Sequence, residues 1–160
     1  MVSEGDHAPN FTAPLANGGI EEFDLEETVA EEAPVVLAFF PGAFTSVCTN
    51  EMNEFQARLE EFAEAGGSVY GVSVDSPFAN NEFRDRLGLT FDLVSDANKE
   101  VIDLYDVAMD FEDLGVHDVA KRAVFVVDGD GTISYAWVSD DPGVEPDYEE
   151  VLDAVAAAAA

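Results

Sequence analysis

Six consecutive apolar residues, Val35 to Phe40 (VVLAFF), lie between Pro34 and Pro41. A run of strand length with no polar face is a strand buried on both sides, and it needs a covering layer above and below. The neighbouring segments supply such layers. After a loop from Pro41 to Phe44, the residues Cys48, Met52, Phe55, Leu59 and Phe62 recur at helical spacing and form one apolar stripe. Gly66 and Gly67 stop that helix, and Ser68 to Val74 (SVYGVSV) reads as the next strand. A helix starting near Pro77 and carrying Phe83 and Leu87 follows, then a short strand at Phe91 to Val94 and a short helix from Ala97 to Leu104.

Two hairpins frame this alternating centre. Asn17, Gly18 and Gly19 make a turn between apolar segments around Phe11 and Phe23, and Asp128 to Gly131 (DGDG) joins RAVFVV at Arg122–Val127 to TISYAWV at Thr132–Val138. Asp147 can cap a last helix through Val151, Leu152 and Val155, expected to fray into the alanine tail. Strands alternating with helices, plus a late hairpin, predict an α/β fold with a mixed central sheet and helices on both faces. The order of elements resembles the thioredoxin-like fold with an N-terminal β-hairpin extension. With 160 residues, no internal repeat and no Pro/Gly/Ser-rich linker, residues 1–160 are expected to form a single domain.

Charge bounds the partners. Lys and Arg total 6 against 35 Asp and Glu, a formal net charge of −29. Phosphate recognition needs basic side chains, so nucleic acid is excluded as a partner. The acids recur between apolar segments from Glu4 to Asp153, as the solvated faces of many elements. Such a surface repels itself until salt shortens the Debye length to about 3 Å at 1 M, which suits a salt-rich cytoplasm and an extreme halophile. The segment Met1 to Asn10 lacks the basic and apolar regions of a secretory signal, and no stretch approaches a membrane span, so a cytoplasmic protein without membrane contact is expected. Cys48 is the single cysteine, excluding an intrachain disulfide and any thiolate metal cluster.

Cys48 falls in the first turn of a helix that Thr45 or Ser46 can cap. Backbone N–H groups there lack intrahelical acceptors and, with the helix dipole, favour an anion such as the nucleophilic thiolate. Cys48 is also in phase with Met52 and Phe55, as a buried packing residue would be. Spacing alone leaves both readings open.

The string FFPGAFTSVCTNEM, from Phe39 to Met52, contains Pro41, Thr45 and Cys48 as Pro-x-x-x-Thr-x-x-Cys, which resembles the active-site signature of peroxiredoxins. Two further segments are similar to the same family, GDHAPNFTAP at Gly5–Pro14 and KRAVFVVDGDGTISY at Lys121–Tyr135. With one cysteine, the chain looks nearest to the one-cysteine, AhpE-like branch. The resemblance implies a thiol-dependent peroxidase acting on hydrogen peroxide and organic hydroperoxides through a cysteine sulfenic acid. In that reading Cys48 attacks the peroxide, Arg122 stands where the family has its catalytic arginine, and Thr45 positions the peroxide. The N–H groups of Val47 and Cys48 hold its oxygens, Pro41 shields the sulfur, and Glu51 orients the arginine. An external thiol, or a thioredoxin-like or glutaredoxin-like reductant, would resolve the sulfenic acid. A homodimer is expected by resemblance, and no cofactor or metal is.

Other constellations say less. Asp128–Gly131 has two acids of a calcium loop but lacks the later glutamate, so a hairpin turn is the better reading. Asp103, Asp106, Asp110 and Asp113 read as solvated acids, and His7 and His117 as surface or capping residues. The rival functions are a cysteine hydrolase with His117 as base for Cys48, and a noncatalytic thioredoxin-like binding module with a structural Cys48. A thioredoxin-type exchange cycle is excluded, since residue 45 is Thr where a second cysteine would be needed.

Overall fold

The computed structural model describes residues 2–160; Met1, the first residue of the segment read as carrying no signal, lies outside them. Among the described residues the main sheet has seven strands. They are β1 (Thr12–Ala16), β2 (Ile20–Asp24), β3 (Val35–Phe39), β4 (Ser68–Ser73), β5 (Asp92–Ser95), β8 (Arg122–Val127) and β9 (Ile133–Ser139). Their spatial order is β2-β1-β5-β4-β3-β8-β9, with β3, β4 and β5 parallel and the flanking pairs antiparallel. This is the mixed sheet of a thioredoxin-like fold with the N-terminal hairpin added at one edge.

The apolar run behaves as a strand buried on both faces. Val35, Leu37 and Phe39 pack with α1 (Leu25–Glu32) and α5 (Glu100–Leu104), whereas Val36, Ala38 and Phe40 pack with α2 (Ser46–Ala57), α3 (Leu59–Glu64), α4 (Pro77–Leu87) and α6 (Tyr148–Ala159). Strand β8 alternates in the same way: Ala123, Phe125 and Val127 join the first face, Val124 and Val126 the second. Antiparallel pairing sets Ala123 beside Phe39, so Arg122 lies at the C-terminal end of β3, on the face that Val124 and Val126 share with α2.

Gly71 lets α2 sit close to the sheet. A Cβ there would come within 2.7 Å of Leu93 Cδ2 and 3.2 Å of Met52 Sδ, the α2 residue one turn after Cys48.

The structure departs from the sequence expectations in several elements. The stripe from Cys48 to Phe62 is two helices, interrupted at Arg58, whose N–H is shared between the Glu54 and Phe55 carbonyls, each at 3.2 Å. The helix expected from Ala97 starts only at Glu100, because the buried Asp96 carboxylate accepts the N–H groups of Val101 and Ile102 at 3.1 and 2.9 Å. The alanine tail stays helical to Ala159. Alanine has the strongest helix propensity, and the helix lies against the Gly66–Gly67 turn, where a Cβ on Gly67 would meet Val155 at 2.5 Å. Finally, of the four residues read only as solvated acids, Asp110 lies in a second, two-stranded sheet, β6 (Ala108–Phe111) and β7 (Val116–Ala120), and Asp113 in the 3₁₀ turn at Glu112–Leu114 that joins its strands.

Candidate active site

Strand β3 delivers the chain to the site. Phe40 N–H still bonds to Val72 O at 2.9 Å, and Pro41, lacking an N–H, ends the pairing. The loop that follows is held by Ala43 N–H donating to Asp75 Oδ2 at 2.8 Å. Phe44 takes φ 68°, a conformation that a bulky side chain adopts only under constraint, and its ring packs edge-on against Phe83 at 5.2 Å.

Thr45 occupies the N-cap position of α2 with extended backbone (φ −79°, ψ 152°), but its side chain does not cap the helix. The hydroxyl proton goes back to Gly42 O at 2.8 Å. This corrects the expectation of a hydroxyl cap and changes the chemistry. A capping Thr45 would engage the N–H of N2 or N3, here Val47 or Cys48; instead its oxygen is left as an acceptor. The first intrahelical bond is Thr49 N–H to Thr45 O at 2.9 Å, so the N–H groups of Ser46, Val47 and Cys48 have no intrahelical acceptor.

Cys48 is buried, at 1% exposure, and so is Arg122. Arg122 Nη2 donates to Cys48 Sγ at 3.2 Å. Its Nη1 donates to Glu51 Oε1 at 2.6 Å, and Nε and Nη2 donate to the Pro142 carbonyl at 3.2 and 2.9 Å. These four bonds use four of the five guanidinium donors and fix its plane. Burial opposes the Arg122 charge, but Glu51 and Cys48 outweigh it and push its pKa up. For Glu51 the balance is reversed. Burial pushes its carboxyl up to about 7 despite the pull of Arg122, with Glu145 adding to the rise. Its Oε2 is buried with no hydrogen-bond partner among the described residues.

Pro41, Thr45, Val47, Cys48 and Arg122, all singled out in the sequence, line one cavity of about 350 Å³. Glu51 reaches it through Arg122. The sequence reading missed four more lining residues, Phe111, Leu114, Pro142 and Gly143. Pro142 acts through a backbone carbonyl, which no side-chain pattern announces. His117 does not line the cavity; it is exposed on β7, with Nδ1 3.4 Å from Asp110 Oδ1. The DGDG segment is a hairpin turn in which Asp128 Oδ1 accepts the N–H groups of Asp130 and Thr132, both at 3.0 Å.

Residues 4–136 match the model of the AhpC/TSA family. The chain belongs to that family. Among its peroxiredoxin relatives, Peroxiredoxin Bcp of Escherichia coli is 30% identical over 153 residues, covering 95% of this chain and 94% of the relative. The 2-cysteine peroxiredoxin, chloroplastic, of Chattonella marina var. antiqua is 36% identical over 152 residues, covering 87% and 72%. The crystal structure of Peroxidoxin BcpB from Mycobacterium tuberculosis superposes with a TM-score of 0.83 at 28% identity, covering 98% of each chain. The peroxiredoxin fold and the thioredoxin-like arrangement of this chain are thus the same. Among the described residues no helix is long and apolar enough to cross a membrane.

Proposed function

We propose that this peroxiredoxin is a one-cysteine, AhpE-like thiol peroxidase, a single domain over residues 1–160, in which Cys48 is oxidised by hydrogen peroxide and organic hydroperoxides. The observation that carries the reading is the Arg122 donation to Cys48 Sγ at 3.2 Å, at a helix N-terminus whose N–H groups are open. Both features bring positive charge and open hydrogen-bond donors to the sulfur, where negative charge is handled during attack.

In the reaction the thiolate attacks the hydroxyl oxygen of ROOH. The S–O bond forms as the O–O bond breaks, RO⁻ leaves and takes a proton from water, and Cys48 becomes a sulfenic acid. Negative charge moves from sulfur onto the departing oxygen, so donors already fixed there lower the barrier without reorganising. Arg122 supplies a permanent charge, and the N–H groups of Val47 and Cys48 are further donors. The Thr45 hydroxyl, its own proton given to Gly42, accepts from the peroxide O–H and aligns it. Pro41 is buried on the cavity wall it shares with the sulfur and limits water, and Glu51 with the Pro142 carbonyl orients Arg122.

The chain has no second cysteine, so an external thiol must resolve the sulfenic acid, either a small thiol or a thioredoxin-like or glutaredoxin-like protein. No metal or cofactor enters the scheme. The proposal places the protein in a salt-rich cytoplasm, as a homodimer by resemblance, without nucleic-acid or membrane partners. Stopped-flow oxidation of the reduced protein by hydrogen peroxide, with Cys48→Ser as control, tests it. Rapid loss of the thiol is expected; a rate no faster than that of free cysteine would overturn the reading.

A further inference from the structure

A buried polar cluster stands behind the loop that carries Thr45, and nothing in the peroxidase scheme uses it. Ser73 at the end of β4, Asn80 on α4 and Ser95 at the end of β5 are all fully buried. Asn80 Nδ2 donates to Ser73 Oγ at 3.1 Å and to Ser95 Oγ at 2.9 Å. Buried polar groups are costly unless they are partnered, and here the partners tie one helix to two strand ends. Ser73 Oγ in turn accepts the Asp75 N–H at 3.4 Å. The cluster thus fixes the backbone from which the Asp75 side chain leaves.

Asp75 Oδ2 accepts the Ala43 N–H at 2.8 Å, from a residue 32 positions away. That N–H belongs to the Gly42–Ala43 peptide, whose carbonyl accepts the Thr45 hydroxyl proton at 2.8 Å. A trans peptide is one planar unit with its N–H and C=O pointing opposite ways, so a carboxylate that holds the N–H also aims the carbonyl. Its charge polarises the unit and makes that oxygen a stronger acceptor. Thr45 has only one hydroxyl proton. While Gly42 O holds it, the oxygen lone pairs are what Thr45 presents to the peroxide. Released, the hydroxyl can turn to the usual N-cap bond with the N–H of Val47 or Cys48, which withdraws one acceptor and one donor from the cavity together.

We infer that Asp75 is a positioning residue for peroxide reduction: through the Gly42–Ala43 peptide it fixes the Thr45 hydroxyl as a hydrogen-bond acceptor toward the substrate. The inference rests on the peroxidase reading and deepens it. Asp75 itself does not line the cavity and touches no reacting atom.

The test is a double-mutant cycle on the second-order rate of Cys48 thiol loss with hydrogen peroxide. Asp75→Ala should slow the reaction about tenfold, the scale of one ordinary hydrogen bond. In Thr45→Val, which has no hydroxyl to orient, the same substitution should cost less than about twofold. Asp75→Asn keeps an oxygen that can accept the Ala43 N–H and should hold the rate within about threefold of wild type. A loop that is merely loosened would carry its cost into the Thr45→Val background. Equal cost in both backgrounds, a wild-type rate in a folded Asp75→Ala protein, or an Asp75→Asn rate no better than that of Asp75→Ala overturns the inference. Because Asp75→Ala could unfold the loop, hydrogen exchange on the unaltered protein accompanies the cycle. The Ala43 amide should be protected, and exchange as fast as in an open loop overturns the inference without any variant. Wild-type Cys48 that reacts no faster than free cysteine overturns the peroxidase reading instead, so the two failures stay distinct.

Discussion

Arg122 holds Cys48 Sγ at 3.2 Å with the same nitrogen, Nη2, that donates to the Pro142 carbonyl at 2.9 Å. The guanidinium is therefore fixed between a loop carbonyl and the buried Glu51 before any substrate arrives. Donors fixed in this way act on developing charge at no reorganisation cost.

Replacing Arg122 should expose that role. Arg122→Met should slow peroxide oxidation of Cys48 by about 100-fold or more, the scale of losing one preorganised donor. Arg122→Lys should recover little, since an ammonium has only three donors and no plane, and cannot reproduce four directed bonds to Cys48, Glu51 and Pro142. Arg122→Met also leaves Glu51 buried without its cation, so the double variant with Glu51→Gln is the cleaner comparison for folding. Stopped-flow rates beside urea midpoints separate the two effects; a wild-type rate in a folded double variant would remove Arg122 from the mechanism.

Glu51 makes a prediction about pH. Burial raises its carboxyl from the ordinary 4.5 to about 7, so the folded chain binds this proton more tightly than the unfolded one. Its contribution to stability is fully present below about 4.5 and is lost as pH rises through about 7. Urea unfolding from pH 5 to pH 8 should show the wild type losing stability relative to Glu51→Gln, by a few kcal/mol at most at about 1.4 kcal/mol per unit. A gap between the two proteins that does not change with pH would mean that Glu51 is ionised throughout, held by Arg122.

The signature around Cys48 is local, so sequence alone places Pro41, Thr45 and Val47 near the sulfur. Arg122 is different. It opens a strand in which every residue is buried, and an unbroken apolar run carries no alternation to show which face a given side chain takes. The pairing of Ala123 with Phe39 decides it, and that contact exists only in three dimensions. Glu51 is one acid among 35, beside a stripe of apolar residues, and only the family pattern separates it from a solvated one. The β6–β7 hairpin hid for a related reason: its strands stand outside the main sheet, and its acids and exposed positions show no period of two. Helix α1 was missed too, although Asp24 Oδ1 accepts from Glu27 N–H at 3.1 Å, a capping signal visible in the sequence.

Salt dependence follows from the charge distribution. Five of the six basic residues already stand in ion pairs with carboxylates, among them Arg84 with Asp92 at 3.2 Å and Lys121 with Asp140 at 2.8 Å. Pairing with basic side chains is thus nearly exhausted, against 35 acids in the chain. Raising salt from about 0.1 M to about 1 M shortens the Debye length from about 10 Å to about 3 Å and should raise the melting temperature steeply. A flat melting temperature across that range would sink the halophile proposal without touching the peroxidase one.

Turnover should depend on a second molecule. Once Cys48 has become a sulfenic acid, its return to thiol requires a thiol to condense with it and a second equivalent to reduce the resulting disulfide. The chain has one cysteine, and Cys48 is buried, so a resolving thiol must come from outside and enter through the cavity that admits the peroxide. Without added thiol the purified protein should consume about one peroxide per chain and then stop, and excess peroxide should carry Cys48 on to the sulfinic acid. A peroxide electrode counts the equivalents consumed, and mass spectrometry counts the oxygens gained, one for the sulfenic and two for the sulfinic acid. Adding a small thiol should restore continuous consumption. Sustained turnover with no thiol present would show that the redox centre is not Cys48 acting alone.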